Sequence, residues 1–169
     1  MALGGLALLG AGCTSVATLP AEEGRYCHRT GRSYRPRSTC TTEPVPGPAV
    51  QADARRLGGV ADRLTVYVIR QRWNDASGLL TLTAADRAAV ELLPGSFARL
   101  RLPPGHYRLR LDSAGEAGAL DIGGLAGEVR VLEVDSEVWA WRRSDRLREV
   151  RADTQLERVS RLPLVADVQ

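Results

Sequence analysis

The stretch "SFARLRLPPGHYRLRLD" (residues 96–112) carries the clearest structural signal in the chain. Leucine and aromatic residues alternate with arginines on both sides of Pro103–Gly105, which is the spacing of strands with one apolar face. Proline followed by glycine favours a turn. The stretch therefore predicts a β-hairpin with one face on a core and four arginines on the other face: Arg99, Arg101, Arg108 and Arg110.

Three more strands are indicated before this hairpin. The segment "LTVYVIRQ" (residues 64–71) is apolar at both alternating sets of positions, which predicts a central strand buried on both faces. Residues 79–83 and 88–93 predict two shorter strands, and "NDASG" at 74–78 predicts the turn before them. "PG" at 94–95 then separates the last of these strands from the hairpin.

The region after the hairpin predicts a further antiparallel pair. Residues 128–134 and 137–143 form this pair around Asp135–Ser136, after a glycine-rich loop with a small strand at 119–122. Trp139 and Trp141 are two residues apart and share a face. They belong either to the core or a lid over a sheet edge, or to an exposed aromatic platform.

Two short helices are expected beside the strands. One lies near residues 50–57 and ends at two glycines. The other spans the helically spaced Leu156, Val159 and Leu162, with Thr154 and Glu157 in the spacing of a capping box. With six to eight strands in total, the sequence predicts a mostly β domain, an antiparallel β-sandwich or mixed β-rich fold with one or two short flanking helices.

The first fifteen residues, "MALGGLALLGAGCTS", predict an export signal. The apolar run from residue 2 to residue 9 is too short to span a bilayer, and small residues precede Cys13. The end of the run, "LLGAGC", resembles a bacterial lipobox, in which the cysteine receives the lipid. The expectation is a signal peptide at 1–12, with its charged start upstream of Met1. The alternative is a helix cap or a buried cysteine in a cytosolic protein.

If Cys13 is lipidated, Cys27 and Cys40 are the two cysteines that remain. An even number of cysteines in an oxidising compartment favours a disulfide. Free thiols are the second interpretation. Metal binding with His28 is the third, although these three residues match no zinc spacing. The twelve residues between the cysteines are too polar to form a core of their own.

Residues 13–50 are interpreted as a lipidated N-terminus and tether, and residues 51–169 as the β-rich globular domain. The tether is rich in proline, which makes an extended, stiff segment. Five arginines between residues 25 and 37 alternate with Tyr26 and Tyr34. They are either a solvated loop or a basic patch that lies on anionic lipid headgroups or on an acidic partner.

Several segments together resemble the bacterial lipoproteins that contain the domain of unknown function 2846. The resemblance covers about residues 62–162, with departures at Gln71 and in "AADRAAVELLPG". It implies an envelope lipoprotein with an immunoglobulin-like or carboxypeptidase-regulatory-like sandwich. The matching residues are Val66, Tyr67, Arg70, Gly78, Phe97, Pro104, Gly105, His106, Trp139 and Trp141.

No catalytic or cofactor motif occurs in the sequence, so we expect neither an enzyme nor a cofactor or metal site. The 23 basic residues are all arginines and are mixed with 20 acidic residues, and the net charge of +3 is too weak for a nucleic-acid protein. Four carboxylates could meet around calcium, but nothing in the sequence fixes their geometry. They are Asp75, Asp112, Glu116 and Asp121.

The resulting hypothesis is a lipid-anchored cell-envelope protein that faces the periplasm. Thr14 follows the cysteine, in place of the aspartate that retains some lipoproteins in the inner membrane, which favours the outer membrane. The domain acts as a non-catalytic interaction or structural module for an envelope protein partner. The alternative is a small-molecule or glycan-binding lipoprotein that stacks ligands on Trp73, Trp139 and Trp141.

Overall fold

Two β-sheets, a separate β-hairpin and two short helices make up the part of the chain that the computed structural model describes. That part comprises residues 24–32, 34–71, 78–84, 88–112, 118–139 and 142–169. Within these ranges, the structure does not describe the side chains at positions 30–32, 36, 88, 138–139 and 142–143. The predicted mostly β fold with short flanking helices is confirmed.

Eleven strands lie in the described ranges, more than the six to eight expected. The first two form the separate hairpin, and the other nine form the two sheets. Their bounds are β1 Cys27–Arg32, β2 Arg35–Cys40, β3 Leu64–Arg70, β4 Leu80–Ala84, β5 Ala88–Leu92, β6 Ser96–Leu102, β7 Gly105–Asp112, β8 Gly118–Gly124, β9 Val129–Trp139, β10 Arg142–Val150 and β11 Leu164–Val168.

The two sheets pack face to face as a sandwich. The five-stranded sheet has the order β10-β9-β3-β6-β11, and the four-stranded sheet has the order β5-β4-β7-β8. Neighbouring strands are antiparallel except for the parallel pairs β3–β9 and β6–β11. Leucine and valine side chains from both sheets fill the space between them, among them Leu64, Val66, Val68, Leu82, Leu100, Leu109, Leu111 and Leu132.

A second apolar layer covers the other face of the five-stranded sheet. Helix α1 (Pro48–Ala54) and helix α2 (Leu156–Val159) contribute to it together with the odd-numbered positions of β3. Every residue of β3 is buried, as the two apolar faces of its sequence predict. The five-stranded sheet is therefore the middle layer of the molecule. The members of this layer are Ala54, Leu57, Tyr67, Ile69, Phe97, Val131, Val159 and Leu164.

The predicted hairpin at residues 96–112 is wrong, although both of its strands exist. β6 pairs with β3 and β11, whereas β7 pairs with β4 and β8. The turn at Pro103–Gly105 carries the chain from one sheet to the facing one. The leucines of β6 and β7 therefore face each other across the core and do not lie side by side in one sheet. The same alternation of leucine and arginine fits both arrangements.

Two other local predictions are also corrected. β9 runs unbroken through Asp135–Ser136 and pairs with β10, so the chain does not reverse at these two residues. The capping box is not formed, because the N-cap of α2 is Gln155 and the Thr154 hydroxyl donates to the Arg151 carbonyl at 2.8 Å. The small strand expected at 119–122 is the centre of β8.

Glycine is required at two positions of the fold for different reasons. Gly95, with φ 73°, lies in the corner between β5 and β6, where only glycine adopts this backbone without strain. Gly118 begins β8 against the backbone of β10, and a Cβ there would overlap the Asp145 carbonyl. This contact closes one side of the sandwich. The opposite side lies between the outer strands β5 and β11.

The side chain of Gln51 joins α1 to the start of β11. Its amide donates to the Leu164 carbonyl and accepts from the Leu164 N–H, both at 2.8 Å, and all of these groups are buried. We expect Gln51→Leu to lower the free energy of unfolding by about 2 kcal/mol, because two buried backbone groups lose their partner. Urea denaturation measures the change. Arg56→Gln, an exposed neighbour, is the control, and an equal loss in both variants would contradict this role of Gln51.

Candidate functional site

The four arginines predicted to share one face lie on two different sides of the molecule. Arg99 and Arg101 belong to β6 and point toward α1, away from the core between the sheets. Arg108 and Arg110 belong to β7 and are exposed on the outer face of the four-stranded sheet. The prediction of a single arginine face is therefore wrong, because the strands that carry it belong to different sheets.

Arg99 is the centre of a buried charge network. It is 4% exposed and donates two hydrogen bonds of 2.9 Å to the carboxylate of Asp167 on β11. It donates a third, of 2.6 Å, to Asp53 of α1, and Arg101 donates to Asp167 at 2.7 Å. The exposed Arg56 also donates to Asp53, so three arginines contact the two carboxylates, and the network connects three elements that are distant in sequence.

The network also shifts the pKa values of its members. The hydrogen bonds that Arg99 donates to Asp167 hold the pKa of Arg99 above its ordinary value, and the hydrogen bond from Arg99 lowers the pKa of Asp53. Burial raises the pKa of Tyr67, whose hydroxyl donates to the Gly58 carbonyl at 2.8 Å. The shifts of Arg99 and Asp53 both favour the charged form of the side chain, which indicates a structural ion pair.

Arg108 and Arg110 remain candidates for binding. Arg108 lies 3.6 Å from Asp121 on β8, and both side chains are well exposed. In the sheet register, Arg110 is opposite Thr83 on one side and Ala119 on the other. His106 lies on the same face, with its ring over Gly123. His106, Arg108 and Arg110 thus form a single row along β7 on the outer face of the four-stranded sheet.

The remaining predicted residues fall into two groups. Cys27 and Cys40 form the predicted disulfide at the base of the β1–β2 hairpin. Trp139 lies in β9, but its side chain is outside the described part, as are Trp73, Trp141 and Cys13. The aromatic platform and the lipidation site therefore stay predictions. Asp112 and Asp121 lie on neighbouring strands, whereas Asp75 and Glu116 fall in undescribed ranges.

A groove of about 530 Å³ opens on the side of the sandwich between β5 and β11. It is bounded by these two strands and by the connecting segment, residues 41–47, which joins β2 to α1. The buried Val90 and Val165 lie at its base, and the partly buried Ala166 and Val168 extend it along β11. The floor of the groove is therefore apolar.

The connecting segment is held at both ends. The Thr42 N–H and hydroxyl donate to the carboxylate of Glu91 on β5, at 2.6 and 2.8 Å. At the other end, Gln51 donates to the Pro46 carbonyl at 3.2 Å, and the same amide group binds Leu164 of β11. The segment consequently spans the gap between the outer strands of the two sheets and forms one wall of the groove.

Every ionisable side chain among the described residues that line the groove is acidic. These side chains are Glu43, Glu91 and Asp167. Arg99 and Arg101 balance Asp167 from outside the groove. Among the described residues, the hydrogen-bond donors to the Glu91 carboxylate are the uncharged N–H and hydroxyl of Thr42, so Glu91 and Glu43 carry the net negative charge of the described groove lining. An apolar floor with an acidic rim suits a ligand with apolar and cationic groups in alternation.

Sequence reasoning missed this groove. The alternation in "LVADV" after Pro163 is a signal that could have identified β11. Glu43, Glu91 and Asp167 are far apart in sequence, and no local pattern brings them together.

No protein-family model matches the chain, and no curated protein sequence matches it. The similarity to lipoproteins therefore rests on the motifs quoted above. No group of three or more His, Cys, Asp or Glu side chains in the described ranges is placed to hold a metal ion. No described helix is long and apolar enough to cross a membrane.

We expect Arg99→Gln to lower the free energy of unfolding by about 3 kcal/mol, because Asp167 would stay buried with half of its partners. Urea denaturation at neutral pH measures the loss. The control is Arg161→Gln, an exposed arginine paired with Glu157, which should change stability by less than about 0.5 kcal/mol. Equal effects of the two substitutions would show that the buried network is not what stabilises the junction of α1, β6 and β11.

Proposed function

We propose that this chain is a lipid-anchored protein of the bacterial cell envelope, and that its β-domain is a non-catalytic interaction module in the periplasm. The groove between β5 and β11 is the observation that carries the interaction role. Its partner is an extended peptide segment of a protein with alternating apolar and basic side chains.

The shape of the groove favours an extended segment. β5 and β11 are the outer strands of their sheets, and the outer side of an edge strand offers backbone N–H and C=O groups to a further strand. Side chains of an added strand alternate between two directions. One set would reach the apolar floor at Val165 and Val168, and the other set would reach the acidic rim at Glu43 and Glu91.

The disulfide supports an address in the envelope. Disulfides persist in oxidising compartments such as the bacterial periplasm and are rare in the cytosol. The Cys27–Cys40 bond lies fourteen positions after Cys13, the residue that the lipobox-like sequence designates for the lipid. An outer-membrane anchor at Cys13 with the domain in the periplasm agrees with both features.

A synthetic peptide of alternating arginine and valine should bind the full-length chain in calorimetry, and a glutamate–valine peptide should not. Replacing both Glu43 and Glu91 with glutamine should weaken binding roughly tenfold, because two rim charges are removed while the side-chain shapes are kept. The control variant carries Glu149→Gln and Glu157→Gln, two exposed carboxylates outside the groove. An equal loss in the control would assign the binding to overall charge and contradict the groove.

The anchor is tested by the intact mass of the chain from the membrane fraction of expressing bacteria. We expect a product that begins at Cys13 and carries diacylglycerol, and one that keeps residues 1–12 when lipoprotein signal peptidase is inhibited. A soluble product that retains Met1 would reject the lipoprotein assignment. Counting thiols on the same sample tests the envelope address, since two reactive thiols would exclude the disulfide in the cell.

A further inference from the structure

The β1–β2 hairpin is a separate structural unit that the groove does not use. Its two strands pair only with each other, and the disulfide joins their ends at Cys27 and Cys40. The base is fixed to the domain through Tyr26, whose hydroxyl donates to the carbonyls of Pro94 and Gly95 at 2.9 and 3.2 Å. The position of the hairpin on the domain is thus determined at its base.

The charge of the hairpin has a single sign. Residues 24–42 contain five arginines and no aspartate or glutamate. Four of these arginines are exposed in the structure, and Tyr34 at the tip is 69% exposed. The exposed arginines of this segment are Arg25, Arg29, Arg35 and Arg37.

The strand register places two of these arginines beside the exposed tip. Arg35 and Arg37 follow Tyr34 in the chain and lie on one side of the ribbon, whereas Arg29, opposite Ser38, lies on the other side. The disulfide holds the two strands together at their base. A segment with several exposed arginines and no aspartate or glutamate of its own is attracted to an anionic surface.

We propose that the β1–β2 hairpin docks on an anionic lipid surface. Arginine forks bind headgroup phosphates, and juxtamembrane basic clusters are attracted to anionic leaflets. Tyrosine is enriched at the membrane–water interface, where its ring lies at the level of the headgroups. The exposed tyrosine at the tip therefore favours a lipid surface over an acidic protein as the partner.

The site lies near the proposed anchor but does not depend on it. Gly24 is eleven positions after Cys13, so an extended chain could cover about 37 Å between them. A lipid at Cys13 would keep the hairpin close to the bilayer, and the hairpin would then set how the domain faces the membrane. Because the hairpin has its own contacts, its binding can be measured on a chain without the lipid.

The experiment uses the full-length chain with Cys13→Ser and the disulfide formed, mixed with vesicles and sedimented. The vesicles contain either phosphatidylcholine alone or phosphatidylcholine with phosphatidylglycerol. The hairpin variant carries Arg29→Gln, Arg35→Gln and Arg37→Gln. The matched control carries Arg56→Gln, Arg151→Gln and Arg161→Gln, which removes the same charge from three exposed arginines elsewhere.

We expect binding to the anionic vesicles only, lost in about 1 M salt, where the Debye length is about 3 Å. The hairpin variant should bind about 100-fold more weakly, since each arginine near an anionic surface contributes about fivefold, and the control should change little. Equal losses in the two variants, or equal binding to both kinds of vesicle, would overturn the proposal. So would binding to polyglutamate without binding to vesicles, which would indicate an acidic protein partner. None of these outcomes bears on lipidation or on the groove, which have their own tests.

Discussion

The burial of β3 on both faces is the constraint on which the rest of the structure depends. One set of its side chains packs against the four-stranded sheet, and the other set packs against the helices. A strand that is apolar on both faces must be covered on both, so its sheet becomes the middle of three layers. The positions of α1, α2 and the facing sheet follow from this requirement.

The buried arginine network is a consequence of the same layering. Arg99 lies next to Tyr67 of β3 in the sheet register, on the face that the helices cover, so its charge must be paired within the protein. Asp167 supplies two oxygens from β11, and Asp53 supplies one from α1. The pairing fixes the last strand of the chain beside the first helix. It also makes β11 an outer strand and therefore one wall of the groove.

The two proposed contact surfaces lie next to each other in the chain. The basic hairpin ends at Cys40, and the connecting segment that borders the acidic groove begins at Thr41. Tyr26 and Thr42 hold this region against the domain through hydrogen bonds to Pro94 and Glu91. A hairpin resting on a membrane would therefore fix the direction of the groove, because the two share one anchored segment. The division of the chain at residue 50 remains a prediction, and these contacts show that residues before it pack on the domain.

Local patterns in the sequence determined most of the strands and the short helices, and they favoured a disulfide between Cys27 and Cys40 over free thiols or metal binding. Alternation and helical spacing act over a few residues, so they identify β3, β6 and β7 correctly. They do not say which strands become neighbours. The leucine side chains of two strands can be buried when the strands pair within one sheet, and equally when the strands lie in facing sheets. Only the tertiary structure decided that β6 and β7 separate at Pro103–Gly105. That choice buried Arg99 and left Arg110 in solvent. Packing also placed Glu43 and Glu91 on the same groove, since it joins positions that no sequence period relates.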